Sequence, residues 1–244
     1  MQVTVRSGTE ALHRQKVGRV IQLMRQEPAS AWDITLMSKT ACISPYHFLR
    51  VFSAVTAISP SRFLAALRME RAKCLLLKSS QPVTAICFEV GYNSVGTFTR
   101  LFTEFVGLSP NRFRRLRDQL LDGLMEELIA RYIERQPSNG VTEDITGSIC
   151  GPHELQSEVF VGLFPSRIPQ GQPIVGIMLP TWGRFSIRVP KLFKDAYILA
   201  VAFPASTNST AYLLPSQDSL LVASESVPLL SGQQRNLVLD LRLR

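Results

Sequence analysis

The chain has 244 residues, a hydrophobic fraction of 45% and a formal net charge of +8. This composition can supply folded cores and argues against a disordered chain, and no apolar run approaches the roughly 20 residues of a membrane helix. Since the first residues lack the apolar segment of a signal peptide, we expect a cytoplasmic protein without a membrane partner.

The positive charge is concentrated in the first half of the chain. Residues 1–117 carry 17 Lys and Arg against 6 Asp and Glu, whereas residues 137–244 carry 8 of each sign. Basic side chains placed near phosphates release condensed counterions, so this distribution favours a polyanionic partner. A solvated basic face is the alternative.

Two short helices, each followed by a turn and a longer helix, are predicted in the basic half. The short helices cover Ile34–Ala41 and Val83–Val90, and Gly91 closes the second of them. A continuous helix of about five turns over Pro60–Leu77 is predicted between the two units. A short helix, a tight turn and a second helix form the helix-turn-helix arrangement, whose second helix enters the DNA major groove.

The two units are related by an internal repeat. Residues 44–63 (SPYHFLRVFSAVTAISPSRF) and 94–113 (SVGTFTRLFTEFVGLSPNRF) are identical at eight of twenty positions without a gap. Each copy begins with a serine suited to an N-cap, Ser44 or Ser94. Two phenylalanines four residues apart follow and belong to one buried helix face, namely Phe48 and Phe52 in the first copy and Phe98 and Phe102 in the second. Ala57 stands where the second copy has Gly107, and a left-handed conformation there would cost about 1 to 2 kcal/mol.

These motifs resemble the DNA-binding domain of the AraC/XylS family of bacterial transcription regulators. The resemblance runs from about Val17 to Arg117 and is most specific over residues 83–114, VTAICFEVGYNSVGTFTRLFTEFVGLSPNRFR. It implies an all-α domain over residues 1–120, with helix-turn-helix units at about 33–53 and 83–104 joined by a helix. It also implies double-stranded DNA as the partner and transcription regulation, here activation, as the function.

The resemblance places the base-reading residues on the third and sixth helices of the domain. The matching positions are Tyr46, Leu49 and Arg50 in the first unit and Val95, Gly96 and Arg100 in the second. Neighbouring side chains of the same segments complete the expected DNA-binding set, namely His47, Ser94, Thr97 and Thr99. The candidates for phosphate contacts are Arg62, Arg112 and Arg115, for which a solvated face is the alternative.

The remainder of the chain has a different pattern. A connecting helix is predicted over residues 121–136, a linker over 137–145 and an all-β sandwich over 146–244, because apolar segments become short and 10 of the 15 prolines lie after residue 136. The segment GRFSIRVPKLFKDAYILAVAF resembles prealbumin-like, or carboxypeptidase regulatory-like, β-sandwiches. The predicted antiparallel strands are Val159–Phe164, Ile174–Leu179, Phe185–Val189, Ala196–Phe203, Ala211–Leu214 and Leu237–Leu243.

The sequence contains no motif for catalysis or metal binding. The motifs GxSxG, HExxH and the P-loop are missing, and Cys42, Cys74, Cys87 and Cys150 stand singly, which predicts buried thiols. We therefore expect no enzyme, cofactor or metal, with a DNA-targeted enzyme as the alternative. For the β-domain, the open partners are a small molecule, another protein such as RNA polymerase, and a second copy of the chain in a dimer.

Overall fold

The structure, a computed structural model, describes residues 3–121, 142–151, 157–165, 173–190, 195–204, 221–228, 235–240 and 242–243. The chain divides into two compact units, Met1–Phe102 and Thr103–Arg244. The first unit is helical, and the second contains all the described strands. None of the described helices combines the length and the apolar character that a bilayer crossing requires.

Helices occupy the chain up to residue 121. They are α1 (Val3–Gln26), α2 (Ile34–Thr40), α3 (Pro45–Thr56), α4 (Pro60–Lys78), α5 (Val83–Glu89), α6 (Val95–Val106) and α7 (Pro110–Leu121). The predicted helices over 34–41, 60–77 and 83–90 are confirmed to within one residue at each end. We call α2 and α3 the first helix pair, and α5 and α6 the second helix pair.

The predicted serine caps are confirmed. The Oγ atom of Ser44 accepts a hydrogen bond from the backbone N–H of His47 at 3.4 Å, and Ser94 Oγ accepts one from Thr97 at the same distance. In each case the hydroxyl satisfies a backbone donor that has no partner within the first helical turn. The repeated serines therefore fix where α3 and α6 begin.

The two helix pairs differ in backbone strain at their turns. The turn before α3 contains Cys42 at φ 52°, and the residue after α3 is Ala57 at φ 62°, so Ala57 does adopt the left-handed conformation whose cost was considered from the sequence. The corresponding left-handed positions of the second pair are glycines, Gly91 at φ 89° and Gly107 at φ 83°. A side chain in this conformation costs about 1 to 2 kcal/mol. The first helix pair therefore carries strain that the second pair avoids.

Phenylalanines anchor both longer helices, as predicted. Phe48 and Phe52 are fully buried in a cluster that also contains α1 residues, and Phe98 and Phe102 are likewise fully buried. Burial of each such side chain contributes about 1.5 to 3 kcal/mol. The α1 members of the first cluster are Val17, Val20 and Met24. Helix α1 was not predicted as an element, although it completes the core of the first helix pair.

The second unit contains two sheets. Its strands are β1 (Thr142–Cys150), β2 (Ser157–Phe164), β3 (Val175–Leu179), β4 (Gly183–Pro190), β5 (Asp195–Pro204), β6 (Leu221–Pro228), β7 (Arg235–Asp240) and β8 (Arg242–Leu243). One sheet has the order β4-β1-β7 and the other the order β3-β2-β5-β6-β8. Buried residues of both sheets, such as Ile187 of β4 and Ile198 of β5, belong to one apolar cluster.

The prediction of purely antiparallel strands is wrong, since β1 and β7 pair in parallel, with Gly147 opposite Leu237. Strands β1 and β6 were not predicted, and β1 begins at Thr142, within the segment predicted as a linker. The predicted strand Ala211–Leu214 and the predicted helix over 121–136, apart from Leu121 at the end of α7, lie outside the described residues.

The prediction of buried thiols is also wrong for two cysteines. Cys42 and Cys150 are exposed, Cys74 is half-buried and Cys87 is buried. Cys42 occupies the left-handed turn between α2 and α3, and Cys150 is the last residue of β1.

Candidate nucleic-acid interface

Helix α3 presents a polar and aromatic face on the side that its two phenylalanines do not occupy. Tyr46 is 82% exposed and Leu49 is 42% exposed, and Arg50 is exposed beside them. An exposed tyrosine and leucine on a well-anchored helix gain nothing for the core, but they can contact a partner. The structure therefore places Tyr46, Leu49 and Arg50, the residues predicted for the first helix pair, on one accessible surface.

Helix α1 adds basic groups to this surface. The Nε2 atom of His47 lies 3.3 and 3.4 Å from the two ring nitrogens of His13, and the ring centroids are 4.5 Å apart. The ammonium of Lys16, one helical turn after His13, donates to the carbonyl of Cys42 at 3.4 Å. Neither His13 nor Lys16 was among the predicted site residues.

The environment of His47 fixes its tautomer and lowers its proton affinity. Its Nδ1 atom lies 3.3 Å from an Nη atom of Arg50, which can only donate, so the neutral ring carries its proton on Nε2. Lost hydration, followed by the nearby charges of His13, Arg50 and Lys16, lowers the pKa of His47 below its ordinary value. The protonated form of His47 is therefore less favoured than that of an ordinary imidazole.

Helix α6 exposes smaller side chains than α3 does. Opposite its buried phenylalanines, Ser94, Gly96, Thr97 and Arg100 are exposed, while Val95 and Thr99 are half-buried. A Cβ atom added at Gly96 would meet only Ser94 Oγ, at 3.8 Å. There is thus space for a side chain at Gly96, and its absence leaves the backbone of α6 accessible to close approach.

The three arginines predicted to contact phosphates are all exposed. Arg62 lies in the first turn of α4, and its backbone N–H donates to the Oγ atom of Ser59 at 3.3 Å. Arg112 and Arg115 lie on α7, which belongs to the second compact unit. In the described part of the chain, no three His, Cys, Asp or Glu side chains converge to hold a metal ion.

The family match falls on the helical part of the chain. Residues 37–116 match a family model described as a helix-turn-helix domain. An HTH-type transcriptional regulator of Haemophilus influenzae is 34% identical over 105 residues, which make up 43% of this chain and 35% of that protein. The RCS-specific HTH-type transcriptional activator RclR of Escherichia coli is 30% identical over 105 residues, 43% of this chain and 37% of that protein.

The chain spans about a third of the length of these relatives. Among solved structures, the C-terminal domain of AraT, a response regulator from Geobacillus stearothermophilus, is 30% identical with a TM-score of 0.40, covering 42% of this chain and 85% of that one. The family match ends at residue 116 and does not reach the strands of the second unit. The resemblance of the segment GRFSIRVPKLFKDAYILAVAF to prealbumin-like modules stays a prediction.

Proposed function

We propose, from the premise that residues 37–116 are a helix-turn-helix domain of the AraC type, that this chain is a sequence-specific transcription regulator that binds double-stranded DNA. The observation that carries the proposal is the repeated arrangement of α3 and α6. Each helix is capped by a serine and anchored by two buried phenylalanines, and each carries an exposed arginine at the matching position, Arg50 and Arg100.

Both helices read bases in this proposal. The guanidinium groups of Arg50 and Arg100 can donate two hydrogen bonds to a guanine, and the apolar side chains of Leu49 and Val95 can contact a thymine methyl group. Tyr46 and His47 contribute further contacts from α3, and Thr97 and Thr99 hydroxyls from α6, while Gly96 allows the backbone to approach the DNA. Two helices in successive major grooves would read segments about 34 Å apart.

Contacts with the DNA backbone position the domain. Arg62 follows the N-cap of α4 and, with Arg112 and Arg115 of α7, is proposed to bind phosphates without discriminating between bases. The excess of basic residues up to residue 117 supplies the accompanying sequence-independent attraction. Affinity for any duplex should therefore fall steeply as the salt concentration rises.

For the strands of the second unit, which follow α7, we propose a sensor or interaction module built as a sandwich. The shared apolar cluster of its two sheets supports face-to-face packing, with Ile145 of β1 and Val161 of β2 among the buried residues. We further propose that the regulator is an activator, a role that the name of RclR states for that relative. Transcription from a reporter promoter that carries the bound site should then rise when the chain is expressed.

The deciding experiment is selection of bound fragments from the source genome by the full-length chain at ~150 mM salt. The expected result is enrichment of a site with two conserved segments whose centres are about one helical turn of DNA apart. Fragments recovered without any preference over random duplex would contradict sequence-specific regulation. A single enriched segment would contradict reading by two helices but not DNA binding.

A further inference from the structure

One arginine joins the parts of the chain that carry the two helix pairs. Arg68 lies in the middle of α4, and its Nε atom donates to the carbonyl of Pro28 at 2.8 Å. Its Nη2 atom donates to the carbonyl of Ser30 at 3.0 Å, and its Cζ atom lies 5.2 Å from the centroid of the Tyr92 ring. The guanidinium thus contacts both the loop before α2 and the turn before α6.

The loop and the turn also touch each other directly. A Cβ atom added at Gly91 would lie 2.6 Å from the carbonyl oxygen of Ala29 and 3.0 Å from Nη2 of Arg68. Real Cβ atoms do not approach a backbone oxygen so closely, and the φ of 89° at this position also favours glycine. Gly91 therefore lets the turn of the second helix pair lie against the loop that leads into the first.

The electrostatic setting suits a fixed cation. Burial lowers the pKa of Arg68, an effect that Tyr92 partly opposes, but a guanidinium begins so far above neutrality that it stays charged. Burial likewise raises the pKa of the Tyr92 hydroxyl, which stays neutral. A partly desolvated cation that lies over an aromatic ring and donates to two carbonyl groups is held in a defined position.

Beside this contact a pocket that is open to solvent is lined by residues of both helix pairs. Its volume is about 460 Å³, and its lining includes Leu49 of α3 and Leu101 of α6 together with Arg68 and Tyr92. Apolar packing does not fill this space, so side chains from α3 and α6 do not fix their own separation here. Arg68 lines this pocket, and its contacts restrict the position of one helix pair relative to the other where apolar side chains do not.

We propose that Arg68 is a positioning residue that sets the distance and rotation between α3 and α6, and thereby the spacing of the two DNA segments that the chain accepts. The inference rests on the proposed function, since spacing has meaning only if both helices read DNA. Arg68 itself is not expected to contact bases, because its donors are directed to Pro28 and Ser30.

The test compares Arg68→Lys with the wild type in the full-length chain. Lysine keeps the charge but cannot reproduce the fork that reaches two carbonyl groups. The control is Arg71→Lys on the same helix, because the Arg71 side chain is 58% exposed and its contact with Glu89 is long, at 3.5 Å. The DNA probes are the selected site and two derivatives with one base pair inserted or deleted between its segments.

Each change in length displaces one segment by about 3.4 Å and rotates it by about 34 to 36°. The wild type and Arg71→Lys should lose affinity for both derivatives by at least about tenfold. For Arg68→Lys the loss should be at least about threefold smaller, with weaker binding to the unaltered site. A merely structural role would weaken binding to all three probes by one factor and leave their ratios unchanged, which would overturn the inference.

A second variant covers the case in which Arg68→Lys does not fold. Tyr92→Leu removes the aromatic face and the side-chain hydrogen bond between Tyr92 and Arg68, but it keeps the hydrogen bonds of Arg68 to Pro28 and Ser30. It should relax the spacing preference in the same direction to a smaller degree. Circular dichroism verifies that each variant is helical. If the wild type selects no site, the proposed function fails; if the wild type selects a site and both variants keep its spacing ratios, only the positioning role of Arg68 fails.

Discussion

Replacing Ala57 by glycine should stabilise the helical part of the chain. Ala57 ends α3 in a left-handed conformation with φ 62° and ψ 9°, and its side chain is exposed, so the substitution removes no buried surface. Relief of the left-handed conformation is worth about 1 to 2 kcal/mol. The more flexible unfolded chain of the glycine variant offsets about 0.4 to 1 kcal/mol of this gain. The expected net increase in the free energy of unfolding is therefore about 0.5 to 1 kcal/mol.

Urea unfolding followed by the helical circular dichroism signal measures this difference. The control is Ala54→Gly, an exposed position inside the same helix with no left-handed strain, where glycine should cost about 1 kcal/mol. The reverse exchange, Gly107→Ala at φ 83°, should lower the free energy of unfolding by about 0.5 to 1 kcal/mol, since the left-handed strain is again partly offset by the less flexible unfolded chain. The reasoning is refuted if Ala57→Gly lowers the free energy of unfolding as much as Ala54→Gly does.

The other predictions concern His47, the arginines and the operator. Because folding lowers the pKa of His47, the unfolded chain binds a proton before the folded chain does as the pH falls below about 6.5, so acid should reduce the free energy of unfolding. His47→Gln should reduce the difference in the free energy of unfolding between about pH 7.5 and about pH 5.5, measured by urea titration, and an unchanged difference would contradict this reasoning. Arg100→Ala should lower affinity and relax base preference at defined positions by about 1 to 3 kcal/mol in fluorescence anisotropy, whereas Arg115→Ala should weaken binding to all sequences alike; equal losses on every sequence for both variants would remove Arg100 from the reading set. In the selected operator, base preference should be stronger in the segment contacted by α3 than in that contacted by α6, and equal preference would contradict this asymmetry.

Local chemistry explains why most helices could be predicted from the sequence. The start of α3 depends on Ser44 and Pro45, which act within one turn, and the same cap recurs at Ser94. Helix α1 was missed although its buried residues Val17, Val20 and Met24 follow helical spacing, because charged residues are scattered around them. Because α1 was not predicted, the contact of His13 with His47 was not predicted either. These two residues are 34 positions apart, and no local sequence pattern indicates that they meet.

The strands of the second unit were harder to predict, because their pairing depends on contacts between distant segments. In β1 the buried positions alternate as Ile145, Gly147 and Ile149, and the glycine in the middle hides the apolar alternation that identifies a half-buried strand. The parallel pairing of β1 with β7 joins residues about 90 positions apart, such as Gly147 and Leu237, and no property of either segment alone specifies its direction. The contacts of Arg68 escaped prediction for the same reason.

At several positions the first helix pair has a side chain where the second has glycine. The first helix pair has side chains at Cys42, in the turn before the repeat, and at Ala57 within it, where a left-handed backbone costs free energy; the second pair has glycines, Gly91 and Gly107, at the corresponding turns. On the outward face the first copy has Tyr46, 82% exposed, and the second has Gly96 at the equivalent position. Base edges are distinguished by side chains, whereas an exposed backbone contacts any duplex. We therefore expect α3 to supply more of the base discrimination, and α6 to bind through close approach of its backbone with Arg100 as its principal reader.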